Sequence, residues 1–312
     1  MPSGPVAWEY LLRSFSACVV WPIIAIGGFS SALSATSWSE WFLTVCTCLA
    51  IVVAFVAFGI PQRWLIPWWL EVMFGGGILG MASSALWRQR VLGGSLSLVD
   101  AVPVLAAVGV AAAAWADRRL AVREELTLAR WPLREGSWIV AQGEGAFLNH
   151  HWRVRAQRAA LDLVGCGRTG RSSKRIVPKE LEDFVAYGAT VIAPCDGTVV
   201  SAERGLPDNR FPGVPPMGNH VTLASGSQRV VMAHLRQDSV KVQLGDLVRA
   251  GDAVGRVGNS GNSSEPHLHI HATRSAYPLR LRFADVPGGF RRGRWISGRR
   301  LSRRERLRPV GR

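Results

Sequence analysis

The sequence predicts two architectures in one chain: an α-helical membrane region of about four transmembrane helices, then a carboxyl-terminal all-β domain. Three observations predict it. Residues 1–116 contain four basic residues (Arg13, Arg63, Arg88, Arg90) and four acidic ones (Glu9, Glu40, Glu71, Asp100), which cancel, so the whole net charge of +15 lies in residues 117–312. Within that first part, four stretches almost free of charge are each about the length that crosses a bilayer core as a helix. From Trp138 onward the pattern changes to short β-rich runs separated by Gly, Asn, Asp and Pro, and all seven histidines fall between His150 and His271.

The four apolar stretches are 14–35, 41–60, 64–87 and 91–115, with Trp38, Trp41, Trp64, Trp68, Trp69, Trp87 and Trp115 near their ends. Indole prefers the headgroup region, so these tryptophans mark the boundaries. Glu71 and Asp100 interrupt the third and fourth stretches; each either serves a function inside the bilayer or sits near an interface or a neighbouring helix. The first stretch also reads as a signal peptide, since Arg13 precedes the apolar run and Ala32 and Ser34 offer small residues for cleavage. Four spans place Arg13, Arg63, Arg118, Arg119 and Arg123 on one side, against Arg88 and Arg90 on the other. By the positive-inside rule that side is cytoplasmic, and the carboxyl half with it.

Residues 117–135 (DRRLAVREELTLARWPLRE) are charged and helix-compatible, the expected juxtamembrane connector. The β runs follow: WIVAQ, TVIAPCDGTVVSA, NHVTLA, QRVVMAHL, VKVQLGDLV, AVGRVGNSGN and HLHIHA. None is long and periodic enough for a core helix. Beyond Gly288 the chain holds ten arginines between Arg291 and Arg312, the composition of a disordered tail that attracts anionic lipid or wall polymer without any specific nucleic-acid site. The domains expected are therefore 1–116 (transmembrane), 117–137 (linker), 138–287 (β domain) and 288–312 (Arg-rich tail).

Residues 265–271 read EPHLHIH, with histidines at every second position. On an extended strand His267, His269 and His271 share one face. A metal site and an ordinary half-buried strand both fit that alternation. His220 in GNHVTL reads as a strand-face residue without chemistry. Cys18, Cys46 and Cys48 read as small hydrophobes in membrane helices, while Cys166 and Cys195, the cysteines of the β domain, are able to pair in an oxidising compartment.

The stretch VMAHLRQDSVKVQLGDLVRAGDAVGRVGNSGNSSEPHLHIH (231–271), with APCDGTVV (193–200) and GNHVTL (218–223), resembles the lysostaphin and LytM type of zinc metallopeptidase. The resemblance runs from about residue 149 to 285. It implies a β domain of antiparallel sheets forming a groove, a zinc ion, and hydrolysis of peptide bonds in peptidoglycan cross-links or stem peptides. In that family the aspartate of a His-x-x-x-Asp motif and the second histidine of a His-x-His pair bind zinc; by position these are Asp162 and His269. His267 and His234 match the two histidines that act in catalysis without binding metal. Zinc with three protein ligands keeps a fourth position for water, whose pKa falls to about 7. The GNSGNS turn at 258–263 would return the strand along the groove floor, and His271 reads as a groove or supporting residue rather than a ligand.

One departure stands against these matches. Where the family's first zinc-binding histidine is expected, four residues before Asp162, the chain has Arg158, which stays protonated and cannot ligate. The nearest replacements are His150 and His151 in AFLNHHWRV, brought beside Asp162 if 147–162 forms a hairpin; a similar Asn-His-His and Gln-Arg arrangement occurs in some relatives of the family. The expected metal set is Asp162, His269 and His151 (or His150), in an enzyme anchored in the bacterial cell membrane and facing the wall, opposite to the charge bias. The alternative is a non-catalytic domain that binds cell-wall peptide or regulates another hydrolase. APCDGTVV and VQLGDLVRAGDAVG also resemble biotinyl and lipoyl carrier hairpins, but none of Lys174, Lys179 and Lys241 stands at a hairpin tip.

Overall fold

The structure is a computed structural model. It describes residues 27–28, 30–32 and 34–58 (side chains to 48), isolated positions between 105 and 116, and 120–297 except 147–148, 168–169, 176 and 209–214. Backbone contacts divide the chain into two units, residues 12–119 and the remainder.

In the first unit one helix, α1 (Trp38–Phe58), coincides with the second apolar stretch. Among the described residues no helix is long and apolar enough to cross a membrane. The stretch 64–87 lies wholly outside those residues, with Glu71 and Asp100; 14–35 and 91–115 lie mostly outside them.

From residue 121 onward the second unit is all-β, and among its described residues there the helical pieces are short 3-10 turns. Its strands are β1 (Glu125–Leu128), β2 (Ser137–Gln142), β3 (Leu161–Cys166), β4 (Thr190–Ile192), β5 (Gly197–Glu203), β6 (Asn219–Ser225), β7 (Gln228–Leu235), β8 (Leu247–Val248), β9 (Ala253–Arg256), β10 (Leu268–Arg274), β11 (Tyr277–Phe283) and β12 (Trp295–Ser297). Ten form one sheet, in the order β12-β2-β3-β10-β7-β6-β5-β8, with β11 joined to β10 and β1 to β11; β4 and β9 form a separate pair. All pairings are antiparallel except β1 with β11.

Alternation explains which face is core. Leu161 and Leu163 of β3, Met232 of β7, and Leu268 and Ile270 of β10 point into one cluster and are at most 1% exposed. Residues of opposite parity on β3 face the other way, where Val164 and Cys166 pack with Ile139, Ala141 and Trp295 in a smaller cluster. Asp162 shares that parity. Cys195 belongs to the main core and Cys166 to the smaller cluster, and both are free thiols. Burial pushes both thiols up.

The sheet extends past both limits expected for the β domain. The connector read as helix-compatible supplies β1, because Leu126 and Leu128 alternate with Glu125 and Thr127; on a helix the two leucines would diverge by about 200°. Glu125 then meets Arg280 and Arg282 of β11, and Leu128, Trp131 and Leu133 enter the core. Trp131 stacks on Phe290 at 5.5 Å and meets Phe283 edge-on at 5.0 Å. At the other end, part of the stretch read as disordered tail is ordered: Phe290 is buried in the core and β12 pairs with β2. Arg292 and Arg294 there have partners, Gln142 and the carbonyls of Gly289 and Pro287. Of the run VKVQLGDLV only Leu247–Val248 is strand, because a turn closed by Gln243 N–H on Asp246 Oδ2 at 2.9 Å breaks it.

Replacing Trp131 by alanine is expected to lower the unfolding free energy by about 3–5 kcal/mol, the usual cost of deleting a buried aromatic. Urea denaturation of the full chain checks it; a change under about 1 kcal/mol would mean that residues before 137 lie outside the cooperative unit.

Candidate active site

The register of three strands assembles the site. Asp162 of β3 stands directly opposite His269 of β10, and His269 on its other side stands opposite Ala233 of β7, the neighbour of His234. Directly opposed residues of an antiparallel pair share a face with short side-chain separation, and His269 Nδ1 lies 2.9 Å from Asp162 Oδ1. The ladder keeps its parity as expected. His267, just ahead of β10, has Nε2 3.7 Å from the same oxygen, while His271 Nδ1 lies 2.9 Å from His269 Nε2. Leu268 and Ile270, of opposite parity, are core.

His234 comes to the site by a strained backbone. Its φ is +59°, a left-handed conformation that non-glycine residues pay for in steric crowding. Hydrogen bonds on both sides hold it there, His234 N–H to Met217 O at 3.1 Å and Gly258 N–H to His234 O at 3.0 Å. Its ring lies 4.8 Å from that of His267 and 5.8 Å from that of His269.

A histidine from upstream reaches Asp162. Among the described residues of 147–162 the chain makes no hairpin but two 3-10 turns, His150–Arg153 and Arg155–Gln157. His151 in the first turn places Nε2 2.9 Å from Asp162 Oδ2. Asn149 caps that turn: its Oδ1 accepts the His151 backbone N–H at 3.0 Å, and its Nδ2 faces the carbonyls of Gly143, Gly145 and Arg158 at 3.1, 3.0 and 3.3 Å. Arg158 is engaged with the same turn, its Nε donating to Trp152 O at 3.0 Å and its guanidinium lying over the Trp152 ring. Arg158 thus braces the segment that carries His151 to Asp162. His150 also approaches, with Nε2 3.5 Å from Asp162 Oδ2, but its side chain is 61% exposed against 8% for His151.

The turn at 258–263 fixes two tautomers. His234 Nδ1–H donates to Ser260 O at 2.8 Å and His267 Nδ1–H to Glu265 O at 2.8 Å. In each ring the Nδ1 position is therefore the donor, and Nε2 is the nitrogen left to face the site. The turn itself is cross-braced: Ser260 Oγ accepts from Asn219 N–H and donates to Leu235 O, and Ser263 Oγ donates to Asn259 Oδ1. At Gly258 a Cβ would come within 2.3 Å of the Arg236 backbone, so only glycine lets the turn pass so close. His220 uses both ring nitrogens elsewhere, on Gly218 O and Ser201 Oγ.

Electrostatics follow from burial. Burial works to raise Asp162, but the imidazoles of His151 and His267 and the hydrogen bonds of His151 and His269 outweigh it and hold the carboxyl well below the usual range. Burial pushes His269 down against the pull of Asp162. Burial and neighbouring imidazoles push His234 and His271 well below their ordinary value, and take His150 down to about 4. At neutral pH the site is an ionised carboxylate beside neutral His150, His234, His269 and His271 rings.

That donor set suits a divalent cation. Among the described residues the ion-pair partners of Asp162 are histidines, so no lysine or arginine balances its buried charge. His150, His151 and Asp162 offer ligand atoms all within 4.8 Å of one another. A tetrahedral cation with bonds of about 2.1 Å holds its donors about 3.4 Å apart, within a few tenths of an ångström of the nitrogen–oxygen distances given above. Asn149 is the supporting residue that the sequence reading lacks. Its signal was present, an N-cap residue immediately before HHWR.

Replacing Asn149 by alanine is expected to cost about 2–4 kcal/mol of stability, from the lost cap and the orphaned carbonyls, with Asn149→Asp intermediate because it keeps the cap alone. Urea titration measures the cost, and imidazole NMR should show His151 leaving Asp162.

Residues 181–280 match the family model of Peptidase family M23; His234, His267, His269 and His271 lie inside that range and His150, His151 and Asp162 before it. An uncharacterized metalloprotease of Haemophilus influenzae is 34% identical over 37% of this chain and 23% of its own length. The peptidoglycan DD-endopeptidase ShyA of Vibrio cholerae is 28% identical over 37% of this chain and 25% of its own. The chain thus spans about a quarter of the length of these relatives. A zinc-containing peptidase from Vibrio cholerae superposes with a TM-score of 0.30, at 20% identity, over 52% of this chain and 41% of that one. With the strand register, the HLH pair and the family match in agreement, the β domain of this chain is a peptidase family M23 domain of the LytM and lysostaphin type.

Proposed function

We propose that the chain is a membrane-anchored zinc metalloendopeptidase that hydrolyses peptide bonds in peptidoglycan cross-links or stem peptides, with His151, Asp162 and His269 as the metal ligands. One observation carries the reading: His151 Nε2 and His269 Nδ1 each lie 2.9 Å from a different oxygen of the buried Asp162 carboxylate. His151 and His269 are preferred to His150 because they are buried and closer, so less ordering entropy is lost on binding. Zinc held there would supply a water that ionises near neutral pH and a Lewis acid for a carbonyl oxygen.

The chain's own residues supply the proton traffic. His234 and His267 are held with Nδ1–H on backbone carbonyls, so one ring takes a proton from the attacking water at Nε2 and returns it to the leaving amine. The two rings lie 4.8 Å apart, and the one that has taken the proton, now an imidazolium with N–H at Nε2, stabilises the negative charge on the former carbonyl oxygen until it gives that proton up. The similarity to ShyA, a peptidoglycan DD-endopeptidase, supports peptidoglycan as the substrate. The apolar stretches at 14–35, 41–60, 64–87 and 91–115 support the anchor, the lipid bilayer being the partner there. A wall substrate requires the peptidase domain to face outward, against the arginine bias, and the Arg-rich end would then meet anionic wall polymer or lipid.

The purified full-length chain is expected to hold stoichiometric zinc that His151→Ala and His269→Ala lose and His150→Ala retains. His234→Ala and His267→Ala should keep zinc while peptidoglycan digestion falls about 10²- to 10⁴-fold, the usual worth of a positioned general base. A wild-type chain that takes up no zinc at any concentration it survives would leave a non-catalytic domain that binds wall peptide. Reporter fusions at the carboxyl end decide the side of the membrane: an active periplasmic-type reporter supports the wall-facing orientation, and an active cytoplasmic one removes it.

A further inference from the structure

The third histidine of the ladder has no part in the mechanism above, yet it is 6% exposed and its Nδ1 lies 2.9 Å from Nε2 of His269. A buried imidazole is costly unless it is hydrogen-bonded. Its Nδ1 is directed at the far nitrogen of His269, and among the described residues it makes no ion pair with Asp162. His271 is therefore placed behind His269.

We propose that His271 is a positioning residue that fixes the ring orientation and tautomer of His269 for metal binding. The inference rests on the zinc reading above. His269 faces Asp162 with Nδ1 and His271 with Nε2. When Nδ1 gives its lone pair to a cation, the proton of the neutral ring must sit on Nε2, where it needs an acceptor. His271 Nδ1 supplies that acceptor with its own proton on Nε2. Without a cation the pair reverses: His269 Nδ1–H donates to Asp162 and His271 Nδ1–H donates to His269 Nε2. The same contact therefore serves both states, by a change of tautomer and no movement of either ring. The usual partner of a metal-bound imidazole is a carboxylate or carbonyl; a neutral imidazole adds no second negative charge beside Asp162. Strand geometry makes the arrangement possible, since residues two apart on β10 share a face and His271 is held by its pairing with Val231 of β7.

The test uses side-chain geometry. In asparagine Oδ1 stands where histidine carries Nδ1; in glutamine the amide stands where histidine carries Nε2; in leucine a methyl replaces Nδ1. Zinc dissociation constants of the full-length chain, measured against a chromophoric chelator, are expected to rise about 10- to 100-fold in His271→Leu and His271→Gln, the usual worth of such an outer partner, and to stay within about threefold in His271→Asn. Long-range ¹H–¹⁵N spectra of the zinc-loaded wild type and Asn variant should show His269 protonated at Nε2 in a slowly exchanging hydrogen bond that the Leu variant lacks. Leu binding zinc as tightly as wild type, or Asn as weakly as Leu, overturns the proposal while leaving the zinc site intact. A wild-type chain without zinc overturns both. Should the Leu variant fail to fold, the Asn and Gln pair decides alone, since equal affinities there also overturn it.

Discussion

The carboxylate of Asp162 is the constraint around which the domain is arranged. Its side chain is 6% exposed, and an ionised carboxylate at that depth costs several kcal/mol unless other groups compensate. Nothing on β3 compensates it, since the strand's remaining residues are apolar. Every compensating group comes from another segment: His269 and His267 from β10 and its approach, His151 from a turn upstream. Burial simultaneously favours the neutral form of His269, so that ring donates a hydrogen bond to Asp162 more readily than it carries charge. The result is a negative centre surrounded by imidazole nitrogens that can give up their protons to a cation, a poor ion pair and a good cation site.

The surroundings of Arg158 suggest how, on the zinc reading proposed above, the site could be completed without a histidine at that position. Asp162 and His269 sit opposite each other in a ladder, where a shift of one residue would turn both to the core face. The third donor is not bound by that register. It arrives on a 3-10 turn whose position depends on the Asn149 cap and on Arg158 gripping Trp152 O. A loop can deliver an imidazole from another sequence position provided something rigid holds the loop, and here the arginine does. Ligand identity at 158 is therefore a poor guide to whether the site is complete.

Much of this was legible in the sequence, and the limits have physical causes. The period of two in HLHIH fixes which residues share a face, so the ladder's parity is readable without any structure. Asp162 and His234 become readable only through the family resemblance, because they are distant in sequence from the ladder and meet it through pairings that periodicity does not encode. The choice between His150 and His151 is unreadable, since adjacent residues in a 3-10 turn point about 120° apart and the turn's phase is set by a cap. Charge misleads at both ends of the domain. Glu125 and Arg282 look like solvent-facing residues of a connector and a strand, yet they meet across the parallel pairing of β1 and β11, and Trp131 and Phe290 lie buried inside segments dominated by charge.

The groups that set protonation at the site are mostly main-chain atoms. His234 and His267 are each fixed by a carbonyl of the segment 260–265, and a carbonyl cannot be titrated or mutated away. What can change is the path of that segment, which depends on Gly258 passing against Arg236 and on Gly261 at φ +76° against the Gly218 backbone. A side chain at either position would displace the carbonyls before it touched a histidine. The orientation of these two rings thus depends on glycines that carry no functional group, while the side-chain acceptor for His269 is left to the ladder's own last member. The chemistry of the site is written in the ladder and Asp162; its proton bookkeeping is written in the turn beside them.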